Sequence, residues 1–159
     1  MSSKDSLRAI LCGGRTAILG VGSVLRSDDG AGMYLIELLE RALGDRSDLL
    51  LLGGSTAPEN FTGVIKDFAP DTLLVVDASQ MNRDTGTVEL IPEDRISGAT
   101  FSTHMLPMPV MLSYLREECG CAVHVIGIQP KSIEMGEEMC AEVRTAVEAL
   151  AADIIDLLK

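Results

Sequence analysis

Two adjacent carboxylates at Asp28 and Asp29, a third at Asp77, and an imidazole at His104 are the residues of this chain best suited to chemistry. Asp28 and Asp29 follow the run TAILGVG (Thr16 to Gly22), Asp77 ends the apolar run in TLLVVDA, and His104 stands in STHMLP, ahead of a helical stretch. In an open parallel sheet, ligands collect outside the carboxyl ends of the strands, where the aspartates fall. Carboxylates and an imidazole make an N/O donor set for a borderline divalent cation, and three protein ligands leave coordination positions open for substrate. Metal-assisted hydrolysis is the chemistry such a set suits. Structural roles compete with it. An acid at a helix start can cap the helix or complement its dipole, and a histidine can be exposed or satisfied in place. Asp77 is harder to assign that way, because a carboxylate ending an apolar strand must be paired or ligated to offset its desolvation. His124, inside the apolar run AVHVIGI, reads as a satisfied core or edge histidine.

The elements that must position these residues are legible from periodicity. TAILGVG is a short apolar strand punctuated by glycine, after which Ala31, Leu35, Leu38, Leu39 and Ala42 share one helical face. Leu49 to Leu52 is a second strand closed by Gly53 and Gly54, and APENFTGVIKDFA predicts a short helix with Pro58 and Glu59 in its first turn. Leu73 to Asp77 is a third strand. Beyond Gly86, TVELI alternates like an edge strand and leads into a loop reaching about Thr103. A helix is expected from Pro107 to Glu118, a fifth strand over Ala122 to Ile128, and a last helix with Val143, Val147, Leu150, Ile154 and Leu157 on one face. Unbroken apolar strands separated by helices indicate parallel strands covered on both faces. The expectation is an α/β fold: one domain over residues 1–159, a three-layer α/β/α sandwich around a mostly parallel, twisted five-stranded sheet. Residues 1–15 would form a short N-terminal extension, with room for a small helix.

Composition narrows the partners. A chain of 159 residues, 47% hydrophobic, sustains one core without a disulfide framework, and with no Trp and 3% aromatics that core is aliphatic and Met-filled. Its 24 Asp plus Glu against 13 Lys plus Arg give a formal charge of -11, which repels phosphate backbones and anionic lipid heads, so neither nucleic acid nor a membrane is an expected partner. The apolar stretch Leu7 to Gly14 is interrupted by Arg8 and too short to span a bilayer. Cys12, Cys119, Cys121 and Cys140 form no CxxC pair and read as reduced thiols of a cytoplasmic protein, with Cys119 and Cys121 a weak signal for a soft metal. Gly20-Val21-Gly22-Ser23 invites comparison with a dinucleotide fingerprint. The third glycine is missing, however, and the second strand ends in Gly53-Gly54 rather than in an acid for a ribose hydroxyl. A GxSxG nucleophile elbow is absent too.

The segments GVGSVLRSDDGAG (Gly20 to Gly32), GGSTAPEN (Gly53 to Asn60), LLVVDA (Leu73 to Ala78), STHMLP (Ser102 to Pro107) and GIQP (Gly127 to Pro130), in this order, resemble the maturation endopeptidases of nickel-iron hydrogenases, above all the branch that processes the hydrogenase-3 type of large subunit. The resemblance spans about residues 16–150. It implies an α/β/α peptidase that removes a short C-terminal extension from a nickel-iron hydrogenase large-subunit precursor after nickel insertion. The family's three metal-contacting positions fall on Asp29, Asp77 and His104, the nickel being carried by the substrate rather than stably held by the free enzyme. Hydrolysis would follow from nickel polarising the carbonyl or activating a water, with a carboxylate as general base, and Asp28 is the first residue to test for that role. Ser23 departs from the family's usual Asn after the second glycine. The alternative reading is a non-catalytic metal-binding or hydrogenase assembly factor on the same fold.

Overall fold

The computed structural model describes residues 3–96 and 108–159. Its strands are β1 (Thr16–Val21), β2 (Leu49–Ser55), β3 (Thr72–Ala78), β4 (Val88–Leu90) and β5 (Ala122–Ile128), and they form one sheet in the order β2-β1-β3-β5-β4. β1 pairs parallel with β2 and β3, and β3 pairs parallel with β5. Only β4 runs antiparallel, with Val88 opposite Ile128. The helices are α1 (Ser3–Leu11), α2 (Ala31–Leu43), α3 (Thr62–Phe68), α4 (Glu93–Ile96), α5 (Met108–Cys119) and α6 (Ala141–Leu158).

Alternation along the strands divides the core in two, because successive side chains point to opposite faces of a sheet. Ile18, Leu74, Val76, Ile126 and Ile128 face Leu35 and Leu39 of α2 and Val147 and Ile154 of α6, with Leu7 and Leu11 of α1 closing the edge. Ala17, Leu19, Val21, Leu73, Val75 and Val125 face the other way, onto Ile65 of α3 and Met111, Leu112 and Leu115 of α5. Each fully buried Leu or Ile contributes roughly 1.5–3 kcal/mol. Covered on both faces, β1 and β3 are buried at every residue, which is why their sequences run apolar without alternation.

The five strands and the three-layer arrangement match the sequence reading, and the N-terminal residues do form a helix. Two details differ. β4 keeps only three residues of TVELI, and the stretch expected as loop starts with the one-turn helix α4, whose Ile96 N–H donates to Pro92 O at 3.2 Å while its side chain is buried. A Pro at a helix start followed by a lone apolar residue is too short a pattern for periodicity to register. Among the described residues no helix is long and apolar enough to cross a membrane.

Candidate functional site

After β1 the chain crosses to β2 on one side, then returns past β1 to β3 on the other. This reversal makes the carboxyl ends of β1 and β3 the switch point of the sheet, the position where open α/β sheets bind ligands. Asp29 follows β1 in a 3-10 turn (Ser27–Gly30), and Asp77 is the penultimate residue of β3. Glycine brings the two together. A Cβ on Gly32 would lie 2.4 Å from Val76 O and 2.7 Å from Val21 O, so the first turn of α2 rests backbone to backbone on the ends of both strands. Gly22 has φ +124, and a Cβ there would lie 1.9 Å from Asp29 O. The glycines that suggest a phosphate loop therefore let a helix start approach the strand ends.

Asp29 is 2% exposed. Its Oδ2 accepts the Ser23 N–H at 2.9 Å, while its Oδ1 is buried and has no hydrogen-bond partner among the described residues. A carboxylate pinned by one oxygen, with the other held dry and unpaired, is suited to a cation or a donor brought by a ligand. Neither Asp28 nor Asp29 caps a helix: the residue before α2 is Gly30, and no side-chain cap bond forms there or at the 3-10 turn. Because Ser23 acts on Asp29 through its backbone, the departure from Asn leaves that bond in place; its Oγ accepts the Leu25 N–H at 3.2 Å.

Asp77 is fully buried and opposite Gly127 in β5. It continues the row of Leu73 and Val75, which faces α3 and α5. His104 lies outside the described residues, as does the rest of STHMLP. Its nearest described flanks, Ile96 and Met108, are both buried in the core on this same face.

Asp28 is fully buried as well, but both of its oxygens are engaged by the connection between β5 and α6. Oδ2 accepts the N–H of Lys131 at 2.8 Å and of Ser132 at 3.2 Å, and Oδ1 accepts the Cys140 N–H at 2.8 Å. The Cys140 thiol donates to Oδ2 at 3.3 Å. Burial pushes this thiol up, and the bond to Asp28 adds to the effect, so it remains a donor.

Two residues that the sequence reading passed over share the carboxyl-end face. Glu59 Oε2, beyond β2, and Ser79 Oγ, beyond β3, are buried without a partner among the described residues. Their signal in the sequence was position alone, just past a strand end in GGSTAPEN and VDAS. The remaining titratable candidates lie elsewhere. His124 pairs in register with Leu74, well down β5 from Gly127, and burial with nearby Arg116 pushes its pKa down. Cys121 follows α5, its thiol pushed up by burial and by Cys119. Among the described residues no group of three or more His, Cys, Asp or Glu could hold a metal by itself.

A family model for hydrogenase maturation proteases (HycI) matches residues 33–157. The chain belongs to the hydrogenase maturation protease family. It is 32% identical over 134 residues to the hydrogenase 3 maturation protease of Escherichia coli, covering 84% of each chain. The crystal structure of the NiFe hydrogenase maturation protease HycI from Thermococcus kodakarensis superposes with a TM-score of 0.88 at 31% identity, covering 96% of this chain and 98% of that one. The hydrogenase maturating endopeptidase HybD of Escherichia coli superposes with a TM-score of 0.75 at 25% identity, covering 91% of each. Proteins of this family are named proteases and endopeptidases, so the chemistry of this chain is the hydrolysis of a peptide bond.

Proposed function

We propose that this endopeptidase removes a C-terminal extension from the large-subunit precursor of a nickel-iron hydrogenase once nickel is in place, and that Asp29, Asp77 and His104 meet the nickel the precursor carries. The observation behind this reading is Asp29 Oδ1, a buried oxygen without a partner among the described residues at the switch point of the sheet, beside the strand whose penultimate residue is Asp77. Leaving a buried acceptor unsatisfied costs about 1–3 kcal/mol, a cost a fold carries where a ligand will supply the partner. Two carboxylates and an imidazole suit a borderline cation, and they bind it weakly unless thiolates of the substrate complete the site. Nickel then belongs to the substrate, and binding reports whether it has been inserted.

Hydrolysis adds water across the scissile amide: its oxygen bonds to the carbonyl carbon, the C–N bond breaks, and the amine leaves with a proton. The chain contributes placement of that bond and an acidic surround to accept the proton. All four cysteines are free thiols, which suits a reducing compartment such as the cytoplasm.

The deciding experiment adds chelator-stripped enzyme to nickel-loaded and nickel-free precursor and follows the extension by mass. Cleavage of the loaded form alone is expected. Efficient cleavage of the nickel-free precursor would refute substrate-borne nickel as the recognition element, and binding without cleavage of either form would make the chain an assembly factor.

A further inference from the structure

The segment from Leu25 to Asp28 and the connection from Lys131 to Cys140 are laced together by hydrogen bonds at every residue of the former. Besides the four donors to Asp28, the Asp28 N–H donates to Ser132 O at 3.2 Å, and Arg26 Nε donates to Ile133 O at 3.3 Å. The Ser27 Oγ donates to Glu138 O at 3.2 Å, and the Gly136 N–H donates to Leu25 O at 3.0 Å. Ser27 itself is held at φ +57, a backbone region that L side chains rarely occupy and that persists only when the surroundings over-determine it. Asp28 is the hub: its carboxylate gathers backbone N–H groups from both ends of the connection.

Two features depend on this lacing. One is Asp29, whose N–H donates to Arg26 O at 3.1 Å, so that the place of its Oδ1, without a partner among the described residues, follows the turn that Asp28 ties down. The other is the exposed rim of the two segments, where Leu25, 67% exposed, and Met135, 69% exposed, flank the backbone bond from the Gly136 N–H to Leu25 O. We propose that Asp28 is a positioning residue for substrate engagement: it locks the β5–α6 connection onto the 3-10 turn, keeping Asp29 and the Leu25–Met135 rim preset for the precursor. Asp28 can act this way only if Asp29 meets the substrate, as proposed above. With both oxygens occupied by fold donors, its carboxylate works through Asp29 instead of on the reacting bond.

The test is Asp28→Asn, which keeps the side chain's shape but, in either orientation of its amide, sets an N–H2 against a backbone donor, the N–H of Cys140 on one side or those of Lys131 and Ser132 on the other. Steady-state processing of nickel-loaded precursor, well below the melting temperature, should show KM raised about tenfold or more, as for groups that orient a ligand. The value of kcat should stay within about threefold and the pH profile keep its shape, since the chemical step is untouched. Amide exchange at residues 131–140 should accelerate. Cys140→Ala, which removes only the thiol donor from a half-buried site, serves if Asp28→Asn does not fold, and should raise KM about two- to threefold in the same direction. Wild-type KM in a folded Asp28→Asn with a loosened connection, or in Cys140→Ala where Asp28→Asn does not fold, would make the clamp purely structural. Loss of one limb of the pH profile at unchanged KM would make Asp28 the general base. An Asp29→Ala control separates the two proposals: if that variant processes normally, the reading of Asp29 fails, whatever Asp28→Asn does.

Discussion

At the amino ends of the strands, Arg15 donates from Nε to Phe68 O at 3.0 Å and from Nη1 to Ser47 O at 3.2 Å, and its own N–H meets Asp71 Oδ2 at 2.8 Å. Its guanidinium lies over the Phe68 ring, 4.1 Å from the centroid. At the carboxyl ends of the same strands, Asp29 Oδ1, Glu59 Oε2 and Ser79 Oγ are buried with no partner among the described residues. One end spends its polar groups on joining strand starts to the loops before them; the other keeps acceptors in reserve. The difference separates polar groups that stabilise the fold from buried polar groups left over by it, which is where a ligand-binding role is to be sought.

Substitutions at the two ends should therefore fail in different ways. The largest expected effect is Asp29→Ala, Asp77→Ala or His104→Ala, each lowering processing by at least about a hundredfold, since a direct ligand matters more than the groups that orient it. For Asp29→Ala the melting temperature should shift little, because losing an unpaired buried oxygen offsets losing the Ser23 bond. Wild-type processing by any two of the three would remove the site assignment. Next comes Gly22→Ala, in which the new Cβ collides with Asp29 O at a backbone angle that disfavours it. It should cost more than about 1 kcal/mol by denaturant melt and also reduce processing, coupling the two properties that Asp29→Ala separates. Asp71→Ala should do the reverse of Asp29→Ala, lowering the melting temperature by roughly 2–5 °C with processing unchanged in the folded range. If it damaged processing as much as Asp29→Ala does, the contrast between the ends would collapse.

The smallest effect concerns His124. Burial holds its pKa below the ordinary 6.5, so the unfolded chain takes up its proton first as pH falls. Stability from this residue is present above the unfolded pKa and is lost as pH drops through the folded one. Chemical melts at a series of mildly acidic pH values should show this slope, and His124→Asn should flatten it without altering processing at neutral pH.

The sheet was readable because every core strand is a short apolar run bounded by glycine or a charge, as in TAILGVG and TLLVVDA. The switch point follows from strand order, and the candidate ligands Asp29 and Asp77 follow from standing at strand ends. Less was readable wherever the decisive partner is remote in sequence. Nothing near Asp28 distinguishes it from Asp29: the amides that occupy it lie 103 to 112 residues away, and only folding brings them to the turn. The glycines of GVG are legible as glycines, but whether they approach a phosphate or a helix depends on what packs there. Glu59 reads as an ordinary first-turn helix residue and Ser79 as an ordinary loop residue until burial removes water from their oxygens.

That long reach also sets an order of events in synthesis. Chains emerge amino end first and gain structure as they do, so β1, the 3-10 turn and β3 leave the ribosome well before Lys131 and Cys140. Until those residues arrive, Asp28 has no donors and the turn beneath Asp29 has nothing to hold it. If Asp28 positions Asp29 as proposed, a nascent chain gains its finished turn, and with it the ability to cut, only when the segment leading into the last helix has arrived.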